Sequence, residues 1–328
     1  MLRAMHSRTP IFAAIALLAT LAVTIAGTPV PPAAPPAFPP PGDATAQKPA
    51  FAPLSYDCKF TAIAPVLDGK LNDSVWSTTA WTSDFIDIQG PALPPPRYRT
   101  RVKMLWDGSY FYIAAELTEP HVFATLRAHD EIVFHDNDFE VFIDPDGDTR
   151  EYCELEFNAL TTIFDLFLHR RYKEAGPAEH AWNAVGLKTA VAINGTLNDP
   201  TDTDISWTLE WAIPWSAFTP PAWDKPSFGE KARAAAAPVV GAEWRVNFSR
   251  VQWTHNFEGK TAAKPATDPA TKPINDSFDQ KPPSATEAPA LPVYEKVKGK
   301  PEDNWVWSPQ WQIDMHDPRW WGRVKFVK

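Results

Sequence analysis

From Asp136 to Asp144 the chain alternates carboxylates with large apolar side chains, and it then enters the turn Asp144-Pro145-Asp146-Gly147-Asp148. Alternation with period two is the pattern of a β-strand, because successive side chains leave opposite faces. Pro145 and Gly147 suit the turn that ends it. The pattern puts Asp138 and Glu140 on one sheet face and Phe139 and Val141 on the other. Carboxylates fixed on a sheet face suit hydrogen bonding to hydroxyl-rich ligands or coordination of calcium; a solvated outer face is the competing reading. The same period recurs in Arg99–Met104 and Tyr110–Ala115, which flank the turn dipeptide Asp107-Gly108 and predict a hairpin. Asn194-Gly195 marks a second one after Leu187–Ile193. Tyr152–Leu160, Thr162–Leu168, Ser206–Ile213, Glu243–Trp253 and Gly322–Val327 read as further strands. Helical period is weak. Many strands at short intervals predict an all-β protein, a two-sheet antiparallel β-sandwich.

The ends of the pattern set the organisation. Arg3 and Arg8 precede an uncharged apolar run, Ile11 to Ile25, and small residues follow it. That is the order of a signal peptide over 1–27. The run is too short to predict a membrane span. Residues 28–54 are rich in Pro and Ala and read as an extended tether. Residues 55–328 then form the folded part. It carries an insertion at about 259–303, loaded with Pro, Lys, Ala and Thr and expected to be solvated. The chain is therefore expected to be secreted or periplasmic, with no membrane insertion after cleavage and no room for a separate catalytic domain. The net charge of −9 argues against nucleic acid or an anionic membrane surface as the main partner. Two cysteines, Cys58 and Cys153, leave a disulfide open in an exported chain. With 15 Trp in the chain, sugar stacking and β-core filling are both open roles for them.

The order of the pieces resembles carbohydrate-binding module family 9, within the DOMON-like β-sandwich group. The residues that carry the likeness are Val66-Leu67-Asp68-Gly69-Lys70-Leu71-Asn72-Asp73-Ser74-Val75-Trp76, then Val102–Ala114, Asp136–Asp148, Phe157-Asn158-Ala159 and Trp244–Phe248. Trp307-Ser308-Pro309, Met315-His316-Asp317-Pro318 and Trp321-Gly322 extend it to the C-terminal end. The resemblance implies a jelly-roll or immunoglobulin-like sandwich and a non-catalytic module linked to polysaccharide breakdown. It also implies a sugar ring clamped between two aromatic side chains, and bound calcium. Carried over by position, the acidic hydrogen-bonding role falls on Glu140 and one clamp role on Phe134. The other clamp role falls on Met315, which is not aromatic; Trp311 is near enough in sequence to substitute. A polar role falls on Gln312. A basic role falls on Glu156, a charge reversal, and a Gln role falls on Ser249.

Phe134, Glu140, Trp311, Gln312 and Met315 are thus the expected saccharide-binding residues, with core packing as the competing reading. Asp144, Asp146 and Asp148 are the expected calcium ligands, against a plain Asp-Gly turn. The spacing lacks a complete EF-hand loop. His121, His129 and His135 fit no zinc motif and read as surface histidines. Met315 and His316 invite a haem reading, but adjacent residues do not ligate opposite faces of one haem, so a second ligand such as Met104 would be required. No G-x-S-x-G, P-loop or G-x-G-x-x-G occurs, and no nucleophile–base pair is visible. Two other outcomes stay open beside the sugar module: a DOMON-like haem domain for electron transfer, and a scaffold domain that has lost its sugar site.

Overall fold

The alternating runs become strands in a computed structural model, which describes residues 52–221, 236–257 and 293–328. In chain order these are β1 (Ser55–Phe60), a single helical turn α1 (Ser74–Ser77), β2 (Ile86–Asp87), β3 (Thr100–Trp106), β4 (Tyr110–Thr118), β5 (Asp138–Asp144), β6 (Tyr152–Asn158) and β7 (Ile163–Leu168). They continue with β8 (Ala178–Glu179), β9 (Lys188–Asn194), β10 (Ser206–Pro214), β11 (Glu243–Gln252), β12 (Asp303–Val306) and β13 (Gly322–Val327). The protein is all-β. Among the described residues no helix is long and apolar enough to cross a membrane.

Hydrogen bonding joins the strands in the order β8-β7-β6-β5-β11-β13-β1-β3-β4-β10-β9, with β12 and β2 branching from β11. Only β1 pairs in parallel, with β13 and with β3; the other pairings are antiparallel. The sheet curls over itself. Trp211 of β10 lies 4.1 Å from Phe157 of β6 and 5.7 Å from Phe139 of β5, centroid to centroid, although these strands are far apart in that order. The main core fills the curl with Phe139, Val141, Ile143, Leu155, Leu209, Trp211, Phe248 and Phe326, all buried. At ~25 cal/mol per Å², burying such side chains contributes on the order of 1.5–3 kcal/mol each.

The β3–β4 hairpin forms as its Asp107-Gly108 turn predicts, with Asp107 Oδ1 accepting from Ser109 N and Tyr110 N at 2.6 and 2.8 Å. Asn194-Gly195 is different. β9 and β10 do pair antiparallel, but a loop over 195–205 joins them. Asp204 holds that loop, accepting from Thr196 N and Val122 N at 2.6 Å each. A local dipeptide did not reveal this distant anchor.

The segment Val66–Trp76 owes its place to one buried carboxylate. Glu210 of β10 accepts from Asp68 N (3.0 Å), Gly69 N (2.8 Å) and Trp76 Nε1 (2.6 Å). Gly69 sits at φ +78°, and a Cβ there would come 2.4 Å from the backbone of Val191 and Ala192. Gly69→Ala should therefore destabilise the fold by about 2 kcal/mol or more, from left-handed strain and steric overlap together. Thermal unfolding of the variant checks this; an unchanged Tm would count against the tight approach.

Residues 1–51 and 258–292, which hold the expected signal peptide, most of the tether and most of the insertion, lie outside the described residues. The flanks of these segments are anchored. Arg323 N donates to Leu54 O at 2.7 Å. Within the expected insertion, residues 293–303 are held by Val297 N to Thr254 O (2.8 Å) and Asn256 N to Glu295 O (3.0 Å). Tyr294 also packs among Phe123, His255 and Phe257. Cys58 on β1 and Cys153 on β6 are both buried, and no disulfide joins them to each other.

Candidate saccharide-binding face

Register explains what gathers on the second face of β5. Phe139, Val141 and Ile143 point into the main core, and Asp138, Glu140 and Phe142 point the other way. Glu140 stands opposite Glu156 of β6 on one side and Ser249 of β11 on the other. Phe142 stands opposite Glu154, and Asp138 opposite Asn158 and Val251. Two alternating acidic strands in this register bring Asp138, Glu140, Glu154 and Glu156 onto one patch.

The patch is not a solvated face, which corrects the competing reading of the alternation. Asp138, Glu140, Glu154 and Glu156 are 0, 6, 5 and 3% exposed. Strand β5 is buried on both faces, because the segment around Met315 to Trp321 packs with Val133, Phe142, Tyr152 and Phe164 over this side. One oxygen each of Asp138, Glu140 and Glu156 lie within 4.8 Å of one another. Burial, and then mutual repulsion, raises the carboxyls of Asp138, Glu154 and Glu156 well above the ordinary range. Glu140 is pushed up to about 7, chiefly by burial; the Ser249 hydroxyl beside it draws it partly back. Few protein donors relieve the charge. Phe134 N donates to Glu156 Oε2 (3.1 Å), Val251 N donates to Asp138 Oδ1 (3.2 Å), and His316 Nε2 lies 3.8 Å from Glu154 Oε2.

The expected sugar residues are distributed around this patch. Phe134 is half-buried; its carbonyl accepts from Trp253 Nε1 at 2.8 Å and its backbone N–H ties it to Glu156. Met315 is buried in the apolar cluster with Val133, Phe142 and Trp321, so it packs as core at the second clamp position. Gln312 reaches Lys173, which donates to its Oε1 at 3.2 Å and also pairs with Asp314 at 2.6 Å. Trp311 is half-buried, adopts φ +63°, and lies over Gly90, where a Cβ would come 2.6 Å from its ring. Its ring faces Trp320, 6.5 Å away. Sequence reasoning passed over Trp253, which lies beside Phe134 and carries Lys296 on its ring at 3.5 Å. It also passed over Glu154 as a fourth acid; the alternation Glu154-Leu155-Glu156 was its only signal.

Asp144, Asp146 and Asp148 come together, with oxygens within 4.8 Å. Both Asp144 oxygens accept backbone N–H groups, from Gly147 and Thr149 at 2.9 Å each. Burial raises its carboxyl to about 7, those two donors lower it, and Asp146 and Asp148 raise it further. These are the bonds of an Asx-stabilised turn. His121 is buried rather than at the surface, with Tyr294 Oη 3.3 Å from its Nδ1. His129 is exposed, with Nδ1 2.9 Å from Asp130. Met104 sits in the main core and Met315 in a separate cluster, so the two do not face a common ligand. His316 is buried, its Nδ1 3.1 Å from Tyr152 Oη, and burial holds it mainly neutral with a pKa lowered to about 4.

A family model described as "Carbohydrate family 9 binding domain-like" matches residues 67–231, half of the chain, and spans β3 to β10 with the acidic patch. The chain belongs to this family. Two curated relatives of this family 9 domain are long enzymes. One is Exoglucanase XynX of Acetivibrio thermocellus, 26% identical over 180 residues, which are 54% of this chain and 14% of that protein. The other is Endo-1,4-beta-xylanase A of Thermoanaerobacterium saccharolyticum, 25% identical over 162 residues, 48% of this chain and 11% of that protein. The chain thus spans a small part of the length of each. A crystal structure from Bacteroides uniformis ATCC 8492, described as a candidate carbohydrate-binding protein, is 15% identical. It covers 84% of this chain and 100% of its own, with a TM-score of 0.52, which shows a shared fold. A family 9 module from Caldicellulosiruptor kristjanssonii, solved with glucose, is 13% identical over 83% of this chain and 95% of its own, with a TM-score of 0.42.

Proposed function

We propose that this family 9 domain is an exported, non-catalytic saccharide-binding module that serves polysaccharide breakdown. The curled sheet is read here as two packed antiparallel layers, a DOMON-like jelly roll. The observation that carries the reading is the acidic face of β5 and β6, which lies inside the family match and has a half-exposed aromatic, Phe134, at its edge. Aromatic faces stack on sugar C–H surfaces and carboxylates fix hydroxyls, so this pairing suits a sugar ring. Phe134, Trp253 and Trp311 supply stacking area, and Glu140 orients the ring. The names of the two long relatives point to glucans and xylans as ligands to try. Cleavage of the leader would leave the module secreted or periplasmic.

Truncating Glu140 would remove a charge-assisted hydrogen bond worth about 1.5–3 kcal/mol. Glu140→Ala should weaken binding by about tenfold or more. Phe134→Ala should weaken it too, with the fold retained. Calorimetry against glucose, cellobiose and xylan oligosaccharides measures both. One observation favours a second reading, an interaction domain without sugar binding: Met315 is core at the second clamp position, and Glu156 is an acid at the basic one. No binding of any of the three sugars by the parent chain would select it.

A further inference from the structure

Asp165 is the acid of β7, and it stands opposite Leu155 of β6. Leu155 belongs to the main core, so Asp165 lies on that side of the strands and not on the side of Glu154 and Glu156. Its side chain is 2% exposed. One oxygen, Oδ2, accepts from Ala184 N at 2.6 Å. The other, Oδ1, is fully buried and accepts no hydrogen bond. A buried polar atom of this kind calls for a partner. His129 Nε2 lies 3.4 Å from Oδ1 without closing a hydrogen bond to it. At the far end of the same ring, Nδ1 lies 2.9 Å from Asp130 Oδ1. One ligand atom of each of His129, Asp130 and Asp165 falls within 4.8 Å of the others. The loop that carries His129 is pinned to this end of β7. Asp130 N donates to Ile163 O at 2.9 Å, and Thr162 Oγ1 donates to Leu126 O at 2.6 Å.

We propose that His129 Nε2 and Asp165 Oδ1 ligate one zinc ion at the surface end of β7, with Asp130 orienting the imidazole through Nδ1. Zinc binds His nitrogen at about 2.0–2.1 Å and carboxylate oxygen at about 2.0–2.2 Å, so two ligands at a tetrahedral angle stand about 3.3–3.5 Å apart. The Nε2–Oδ1 separation of 3.4 Å is of that size. A mixed imidazole and carboxylate donor set suits zinc, where calcium and magnesium take oxygen. A carboxylate on the second ring nitrogen fixes the tautomer that leaves Nε2 free to bind metal. His129 and Asp130 are each 45% exposed, so the remaining positions open to water or to an added ligand. No local spacing announces this site, because Asp165 arrives from the next hairpin. It rests on neither the acidic patch nor the saccharide reading.

The test is a calorimetric titration of the chelator-treated full chain with ZnCl2 at pH 7.5, without sugar. The parent should bind zinc, and excess CaCl2 should not displace it. His129→Ala and Asp165→Asn should each weaken that step by at least about tenfold, and Asp130→Asn by a few-fold. His180→Ala, which removes an exposed histidine elsewhere, should leave it unchanged. His129 is exposed, so its removal should not disturb the fold, and Asn at 165 keeps an acceptor for Ala184 N; circular dichroism checks both. A parent chain that takes up no zinc overturns the proposal. So does equal binding by the parent and His129→Ala, and so does loss of zinc in His180→Ala alone, which would place the ion elsewhere.

Discussion

Arg250→Ala should cost the fold about 3–5 kcal/mol, the penalty of stranding a buried charge after its partner is removed. Arg250 lies on the core side of β11, and its side chain and that of Glu119 are 1 and 3% exposed. The guanidinium donates to Glu119 Oε2 at 2.8 Å, Gln252 Oε1 at 2.9 Å, Thr100 Oγ1 at 3.1 Å and Thr118 O at 3.0 Å. Tyr98 and Trp305 cover it at 5.7 and 5.3 Å. It thereby ties β11 to β3, to the end of β4 and to the loop after it. Burial raises the Glu119 carboxyl, and Arg250 is the main group opposing that rise. Without Arg250, Glu119 stays buried with weaker donors. The double variant Arg250→Met, Glu119→Gln should recover most of the loss, because it removes both charges and keeps volume. Urea unfolding at pH 7 measures all three proteins; a loss below about 1 kcal/mol for Arg250→Ala would sink the account.

Glu140→Gln should act in the opposite direction, and its effect should depend on pH. Groups that face Glu140 include Asp138 on its own strand, Glu154 and Glu156 on β6, and Glu302 at longer range; His316 pairs with Glu154. The folded pKa of Glu140 is about 7, raised from 4.5, so the native state holds its proton more tightly than the unfolded chain. Stability from this group is therefore fully present below pH 4.5 and is lost as pH rises towards 7. The full difference amounts to about 3 kcal/mol at 1.36 kcal/mol per unit. In chelator, the variant should gain on the parent from pH 5 to pH 8, and the two should converge near pH 4. Comparing variant with parent cancels groups that Glu140 does not touch, such as His255, which burial lowers to about 4 and which acts with the reverse sign. A constant offset across pH would show that Glu140 is not held in a shifted state.

The strands were legible wherever one face is buried and the other wet. β13 is the clearest case: Gly322–Val327 was read to the residue, and its side chains alternate between buried and exposed up to Val327. The face assignment of β5 was also legible, since parity alone sends Phe139 and Glu140 to opposite sides. Burial of both faces was not, because the cover comes from the distant segment around Met315 and Trp321. The acidic patch could not be read for the same reason. Glu140 meets Glu156 and Ser249 only through the register of three strands. Parity sets Arg250 on the face of Trp244, Val246 and Phe248, but a lone Arg reads as a surface residue because its partners Glu119 and Thr100 are distant in sequence. The 195–205 loop was hidden behind an Asn-Gly signal that usually closes a hairpin, since its anchor Asp204 acts from the far end of the loop.

One pairing has implications for how this chain reaches its fold. β13 lies between β11 and β1, so the strand latest in sequence sits at the centre of the hydrogen-bonded order, beside the earliest one. During synthesis β5 to β8 and the β3–β4 hairpin can assemble from neighbours close in sequence, but no hydrogen-bonded ladder joins the two flanks until β13 emerges between β11 and β1. Such long-range closure is slow. A nascent chain should therefore dwell as two unjoined halves with open strand edges, a state exposed to chaperones and to mispairing. Deleting β13 would then divide the molecule at its middle, where deleting β8 would merely trim an edge.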